Sequence, residues 1–125
     1  MDKNSNAIRW FEIPAIDIQR AKRFYETVFA IEMQPTPLPM LFMFPSDAGS
    51  GYVSGGIMQH ETYVPSERGV TIYLNADPDI QAVIDRIEPA GGKVLIPKTM
   101  ISEEIGCMSF FIDTEGNRLA LMAKS

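Results

Sequence analysis

The residues of this chain best suited to chemistry are Glu12, His60, Tyr73, Asn75 and Cys107. Glu12 lies in the run Trp10-Phe11-Glu12-Ile13, whose alternation places it on the strand face opposite Phe11 and Ile13. A carboxylate on a partly apolar face can hold its proton more tightly and serve as a general base. The plainer reading pairs it with Arg9, Arg118 or a hydroxyl, because charged side chains are seldom buried without a partner. Tyr73 and Asn75 share one face of another strand, where a phenol and an amide could orient a ligand or stabilise an oxyanion. Trp10, Met58, Phe110 and Met122 could supply apolar walls for a planar or apolar ligand, or simply fill the space themselves. His60 is the only histidine; it could bind a metal or shuttle protons, but one His without a second ligand at useful spacing makes a poor metal centre. Glu103 and Glu104 are most simply solvated charges. Cys107 has no partner for an internal disulfide, which points to packing and to a cytoplasmic protein.

Periodicity indicates the elements that must hold these groups. Ile8 to Ile13 alternates as a strand, stopped by Pro14. Asp17 then caps a helix from about Ile18 to Phe29, in which Ile18, Ala21, Phe24, Tyr25, Val28 and Phe29 make one apolar stripe. Three prolines between Met33 and Pro39 suit an edge strand or extended loop. Leu41 to Phe44 reads as a buried strand, followed by the Gly-rich loop Ser46 to Gly51 and a strand from Tyr52 to His60. There Gly55 and Gly56 permit close approach of a ligand or a neighbouring backbone.

After a polar linker from Glu61 to Arg68, the pattern repeats. Val70 to Asn75 is a strand; Asp77 caps a helix presenting Ile80, Val83, Ile84 and Ile87, which Pro89, Gly91 and Gly92 end. Lys93 to Ile96, Gly106 to Ile112 and Arg118 to Met122 follow as strands, with Gly116 in a tight hairpin between the last two. The expected architecture is therefore α+β: two βαβββ modules, about 7–60 and 69–124, in a single domain 1–125, each covering a sheet face the other needs buried.

Composition narrows the function classes. A chain of 125 residues with 46% hydrophobic and 22% charged residues suits one globular domain. A net charge of −5 with scattered basic residues opposes a nucleic-acid footprint. No run approaches the roughly 18 apolar residues of a membrane span, and Met1 to Asn6 lacks the pattern of a signal peptide. Eight Met and seven Phe fit a deformable apolar interior or cavity.

The segments Trp10-Phe11-Glu12-Ile13-Pro14-Ala15-Ile16-Asp17, Arg20-Ala21-Lys22-Arg23-Phe24-Tyr25-Glu26, Ala90-Gly91-Gly92-Lys93-Val94 and Phe111-Ile112-Asp113-Thr114-Glu115-Gly116-Asn117 together resemble the vicinal-oxygen-chelate superfamily of glyoxalase, bleomycin-resistance and extradiol-dioxygenase proteins. The order and spacing of these pieces span nearly the whole chain. The resemblance implies a strongly curved mixed sheet with helices on its convex face. It also implies a homodimer and, in the superfamily's enzymes, a divalent metal held by His, Gln or Glu on the concave face.

At the places the resemblance marks for ligands this chain has Trp10, near Thr71, and Ala120. Indole nitrogen has no free lone pair and alanine has no donor, so no cofactor is expected: a divalent metal is possible, in the lyase alternative below, but the ligand positions do not support one. The concave face would instead hold Trp10, Glu12, Thr71, Tyr73, Asn75, Ala120 and Met122. The leading expectation is a protein that binds a small organic molecule there, as the family's metal-free drug-sequestering members do. The acidic surface would favour a cationic ligand. The alternative is a glyoxalase-related lyase or isomerase in which Glu12 abstracts a proton beside a carbonyl while Tyr73 or Asn75 steadies the oxyanion. A third reading is an interaction module whose concavity is filled by Trp10 and Met122.

Overall fold

The computed structural model describes residues 1–47 and 49–125; the expected Gly-rich loop Ser46 to Gly51 contains Ala48, which lies outside the described residues. Strand β1 runs Trp10–Pro14 and helix α1 runs Ile18–Phe29. Asp17 caps the helix by accepting from the Arg20 N–H at 3.1 Å, satisfying a donor that a helix start leaves open. Of the expected stripe, Ile18, Ala21, Phe24, Tyr25 and Val28 are buried, and Phe29 at its end is half-buried against the core. The helix ends at Ala30, a non-glycine residue held at φ 53° and ψ 49°.

Strands β2 (Gln34–Pro35), β3 (Leu41–Met43) and β4 (Ser54–Met58) complete the first sheet in the order β1-β4-β3-β2, with β1 and β4 parallel. Gly55 and Gly56 do face close neighbours, and these belong to the chain itself. A Cβ on Gly55 would come within 2.5 Å of the Phe11 ring, and one on Gly56 would stand 2.5 Å from the Phe42 carbonyl oxygen.

Strand β5 (Tyr73–Asn75), helix α2 (Ile80–Ile84) and strands β6 (Lys93–Ser102), β7 (Gly106–Ile112) and β8 (Arg118–Ala123) form the second module, its sheet ordered β5-β8-β7-β6. Where one mixed sheet was expected, the chain forms two separate four-stranded mixed sheets, one per module. The cap of α2 is Asp79, whose carboxylate accepts from the Gln81 and Ala82 N–H groups, and the expected cap Asp77 instead accepts from the Lys124 N–H at 2.8 Å. β5 begins three residues later than expected, and Val70, assigned by alternation to the core, is 89% exposed. β6 runs six residues past Ile96 as an exposed edge strand.

One continuous core joins both modules, from Ile13, Phe24 and Val28 to Leu74, Ile80, Phe111, Leu119 and Leu121. The hairpin between β7 and β8 fastens them with polar contacts. Asp113 accepts from the Tyr25 hydroxyl at 2.6 Å, from the Asn117 amide at 3.0 Å and from the Glu115 and Asn117 N–H groups at 2.9 Å each. Glu115 accepts from the Ile16 and Asp17 N–H groups at 2.8 and 2.7 Å, and from Arg20 Nε at 2.8 Å. Asn117 donates to the Pro14 carbonyl at 2.7 Å and accepts from the Ser66 N–H. Gly116 takes φ +97° to close the turn, as its place in the sequence suggested. Among the described residues no helix is long and apolar enough to cross a membrane.

Candidate functional site

Strand β8 carries the position where the resemblance puts a ligand carboxylate. Ala120 stands there, in register between Tyr73 of β5 and Phe110 of β7. The two rings meet edge to face across it, centroids 5.8 Å apart, and Ala120 is fully buried. One step along, Met122 lies between Asn75 and Met108. In the first module Trp10 pairs with Ser54 and is 41% exposed, while Met58 pairs with Pro14 at the other end of the same ladder. No three His, Cys, Asp or Glu side chains come together among the described residues. Indole, a threonine hydroxyl and a methyl group do not make a divalent-metal donor set, so the residues at the marked positions do not fit the metal.

Glu12 is half-buried, and its Oε1 accepts a 2.5 Å hydrogen bond from the hydroxyl of Tyr63. The expected hydroxyl partner is therefore present, and it comes from the linker. The carboxylate in turn holds the Tyr63 phenol above its ordinary pKa, first by accepting its hydrogen bond and then by its charge. His60 is exposed, bonded to Thr62 Oγ1 at 2.8 Å through Nδ1, with its ring edge-on to Tyr63. Glu12 lines a cavity of about 200 Å³ whose other walls include the linker residues Val64, Ser66 and Arg68, and Arg118 at the start of β8. Arg118 donates from Nη2 to Thr71 Oγ1 at 2.9 Å and from Nε to the Glu67 carbonyl at 3.1 Å, and its guanidinium lies 5.2 Å from the Phe110 ring centroid. Arg118, one of the partners considered for Glu12, bonds Thr71 and the Glu67 carbonyl instead, and Tyr63 carried no mark in the sequence, since it reaches Glu12 across 51 residues of chain.

A second, larger space of about 1070 Å³ opens between the modules. Phe11, Phe29, Ile31 and Phe44 wall it on one side, and Tyr73, Leu74 and Val83 on the other. Phe44 is held by ring contacts to Phe11 at 5.9 Å, Tyr25 at 5.4 Å and Phe29 at 6.4 Å. Its polar groups are Thr71 just before β5, Asn75 within it, Asn6 and Ser54 from the first module, the carboxylates of Asp77 and Asp79, and Arg86 just after α2, whose Nε donates to the Val28 carbonyl of α1 at 2.8 Å.

Of the residues expected to form one surface, Thr71, Tyr73 and Asn75 line this larger cleft, and Glu12 lines the small cavity. Trp10, Met58, Phe110, Ala120 and Met122 line neither of the two. The wall of Phe29, Ile31 and Phe44 was missed because periodicity assigns Phe29 and Phe44 to the interior, whose edge they flank, and Ile31 falls in no periodic element.

No protein-family model matches the chain. It is 30% identical over 124 residues to a glyoxylase-like domain-containing protein of Didymella fabae, the match covering 94% of this chain and 93% of that one. It is 28% identical over 123 residues to CFP32 of Mycobacterium bovis, a protein named among the glyoxylases, where the match covers 90% of this chain and 43% of that longer one. Its fold superposes on a glyoxalase/bleomycin resistance protein from Albidiferax ferrireducens with a TM-score of 0.74 at 16% identity, covering 96% of this chain and 100% of that one. It also superposes on TnmS3, an antibiotic binding protein from Streptomyces, with a TM-score of 0.63 at 21% identity, covering 99% and 100% of the two chains.

Proposed function

The chain belongs to the family of glyoxylase-like domain proteins, and on that footing we propose that it binds a small, mainly apolar organic molecule in the cleft between its two modules. The observation that carries this reading is the cleft itself: about 1070 Å³, walled mainly by aromatic and aliphatic side chains from both modules, with Thr71, Asn75, Asp77, Asp79 and Arg86 as polar groups at its rim and walls. That volume and lining suit a drug-sized ligand held by burial and oriented by a small number of hydrogen bonds. The same fold serves a protein described as antibiotic binding, which supports a binding role without chemistry.

Proton abstraction by Glu12 has less support. Glu12 and its intended oxyanion donors Tyr73 and Asn75 line different cavities, whereas a general base and its electrostatic partners must meet at one substrate. The proposal takes the chain as a homodimer, which the exposed Leu95, Ile96, Met100 and Ile101 along edge strand β6 support.

The test is titration with the apolar dye 8-anilinonaphthalene-1-sulfonate and a panel of planar aromatic compounds, comparing the chain with Ala82→Trp. Ala82 lines the cleft and is only half-buried, so an indole there fills the space without emptying the core. Saturable binding weakened at least tenfold by Ala82→Trp is expected. Binding that this substitution leaves unchanged, or no saturable binding across the panel, would refute the reading.

A further inference from the structure

The smaller cavity presents an arrangement that the proposed function does not use. Glu12 and Arg118 line the same space of about 200 Å³, yet among the described residues neither is in an ion pair. Each is held by neutral partners instead: Glu12 by the Tyr63 hydroxyl through Oε1, and Arg118 by the Thr71 hydroxyl, the Glu67 carbonyl and the Phe110 ring. A carboxylate has two oxygens and a guanidinium five N–H donors. Oε2 of Glu12 and Nη1 of Arg118 therefore keep hydrogen-bonding capacity after the internal bonds are counted. Two half-buried opposite charges that are oriented but not joined retain a desolvation cost that a ligand bearing the complementary pair would offset. Arg68 lines the same cavity from the linker and adds a second cation.

We propose that this cavity is a binding site for a small zwitterion carrying a protonated amine and a carboxylate, of the α-amino acid class. Its ammonium group is held by Glu12 and its carboxylate by Arg118, with Arg68 beside it. Size permits this assignment: at roughly 30 Å³ of liquid volume per water, the cavity holds about seven waters, which leaves room for a small amino acid such as alanine or serine. Charge selects further. A simple carboxylate leaves Glu12 unmatched, and a simple amine leaves both arginines unmatched.

The experiment is a chemical-shift titration of the isotopically labelled chain with L-alanine, and in parallel with propionate and with ethylamine, each of which carries half of the charge pair. Saturable shifts in residues around β1, the linker and the start of β8 are expected with alanine, with affinity at least about tenfold above either half-ligand, since each charged hydrogen bond is worth on that order. Glu12→Gln keeps the acceptor for Tyr63 while removing the charge, and should weaken alanine binding by about tenfold or more. Arg118→Met should do the same. Arg68→Gln, at an exposed position, provides a third reading should Arg118→Met disturb the fold. Absence of saturable shifts, equal binding of propionate and alanine, or alanine affinity indifferent to Glu12→Gln and Arg68→Gln would overturn the assignment.

Discussion

Replacing Tyr25 with Phe removes one hydroxyl from the buried junction of the two modules and little volume. That hydroxyl donates to Asp113 Oδ2 at 2.6 Å, with both residues buried. The remaining three bonds to the carboxylate, from Asn117 and the Glu115 and Asn117 N–H groups, stay in place. A hydrogen bond to an ionised group contributes about 1.5–3 kcal/mol, and the ring isostere leaves no sizeable void, so a loss of about 2 kcal/mol is expected. For a chain of this size that lowers the Tm by roughly 6–10 °C. Urea unfolding followed by circular dichroism gives the free energy directly, and its pH dependence carries further information. Burial pushes the Asp113 carboxyl above its ordinary 3.8, against the pull of its hydrogen bonds, of which Tyr25 supplies the largest part. Without Tyr25 the folded-state value rises further. A group whose folded pKa exceeds its unfolded one loses stability as the pH climbs from the unfolded value to the folded one. The penalty of Tyr25→Phe should therefore be smallest in acid, where the carboxyl is protonated in both states, and full at neutral pH. A loss below about 0.5 kcal/mol at neutral pH, or a penalty that grows toward acid, would refute this account of the junction.

Glu115→Gln should cost about 2–3 kcal/mol at neutral pH, because its carboxylate serves Ile16, Asp17 and Arg20 together. Burial would raise its pKa, but the hydrogen bonds from Arg20, Asp17, Thr114 and Ile16 outweigh that and hold it below the ordinary 4.5. Its contribution is thus present above that value and lost as the pH falls through the folded one, so denaturation curves of wild type and variant should converge in acid. Ala30→Gly relieves a left-handed conformation at the end of α1 and should stabilise the chain by about 0.5–1 kcal/mol; an unchanged or lower midpoint in urea would show that the cap carries no strain.

Periodic features were legible because they are local. The stripe of α1, its Asp17 cap and the Gly116 turn each follow from residues within a few positions of one another, and the structure has them. The first turn of α2 was misplaced by two residues, because apolar spacing marks the buried face and not the residue that starts it; Asp77 and Asp79 are equally good caps by type. β6 was read short because an exposed edge strand buries neither face in alternation. The polar groups escaped for a different reason. Tyr63 reaches Glu12 across 51 positions, and Glu115 reaches Ile16 across 99, so no local pattern marks either pair. The separation of Glu12 from Tyr73 and Asn75 into different cavities likewise depends on how the modules sit together, which strand alternation alone does not specify.

The hairpin that fastens the modules also fixes an order of completion. Ribosomes release a chain from its amino end, so α1 and its neighbouring strands emerge long before Asp113 and Glu115. Until they do, the Ile16 and Asp17 amides that Glu115 accepts from, and the Tyr25 hydroxyl that Asp113 accepts from, lack their native partners. A nascent chain stalled short of the hairpin therefore holds a first module that is patterned but unfinished. The two halves repeat one another in outline, yet the first takes its last polar partners from the hairpin of the second, so the end of synthesis completes both.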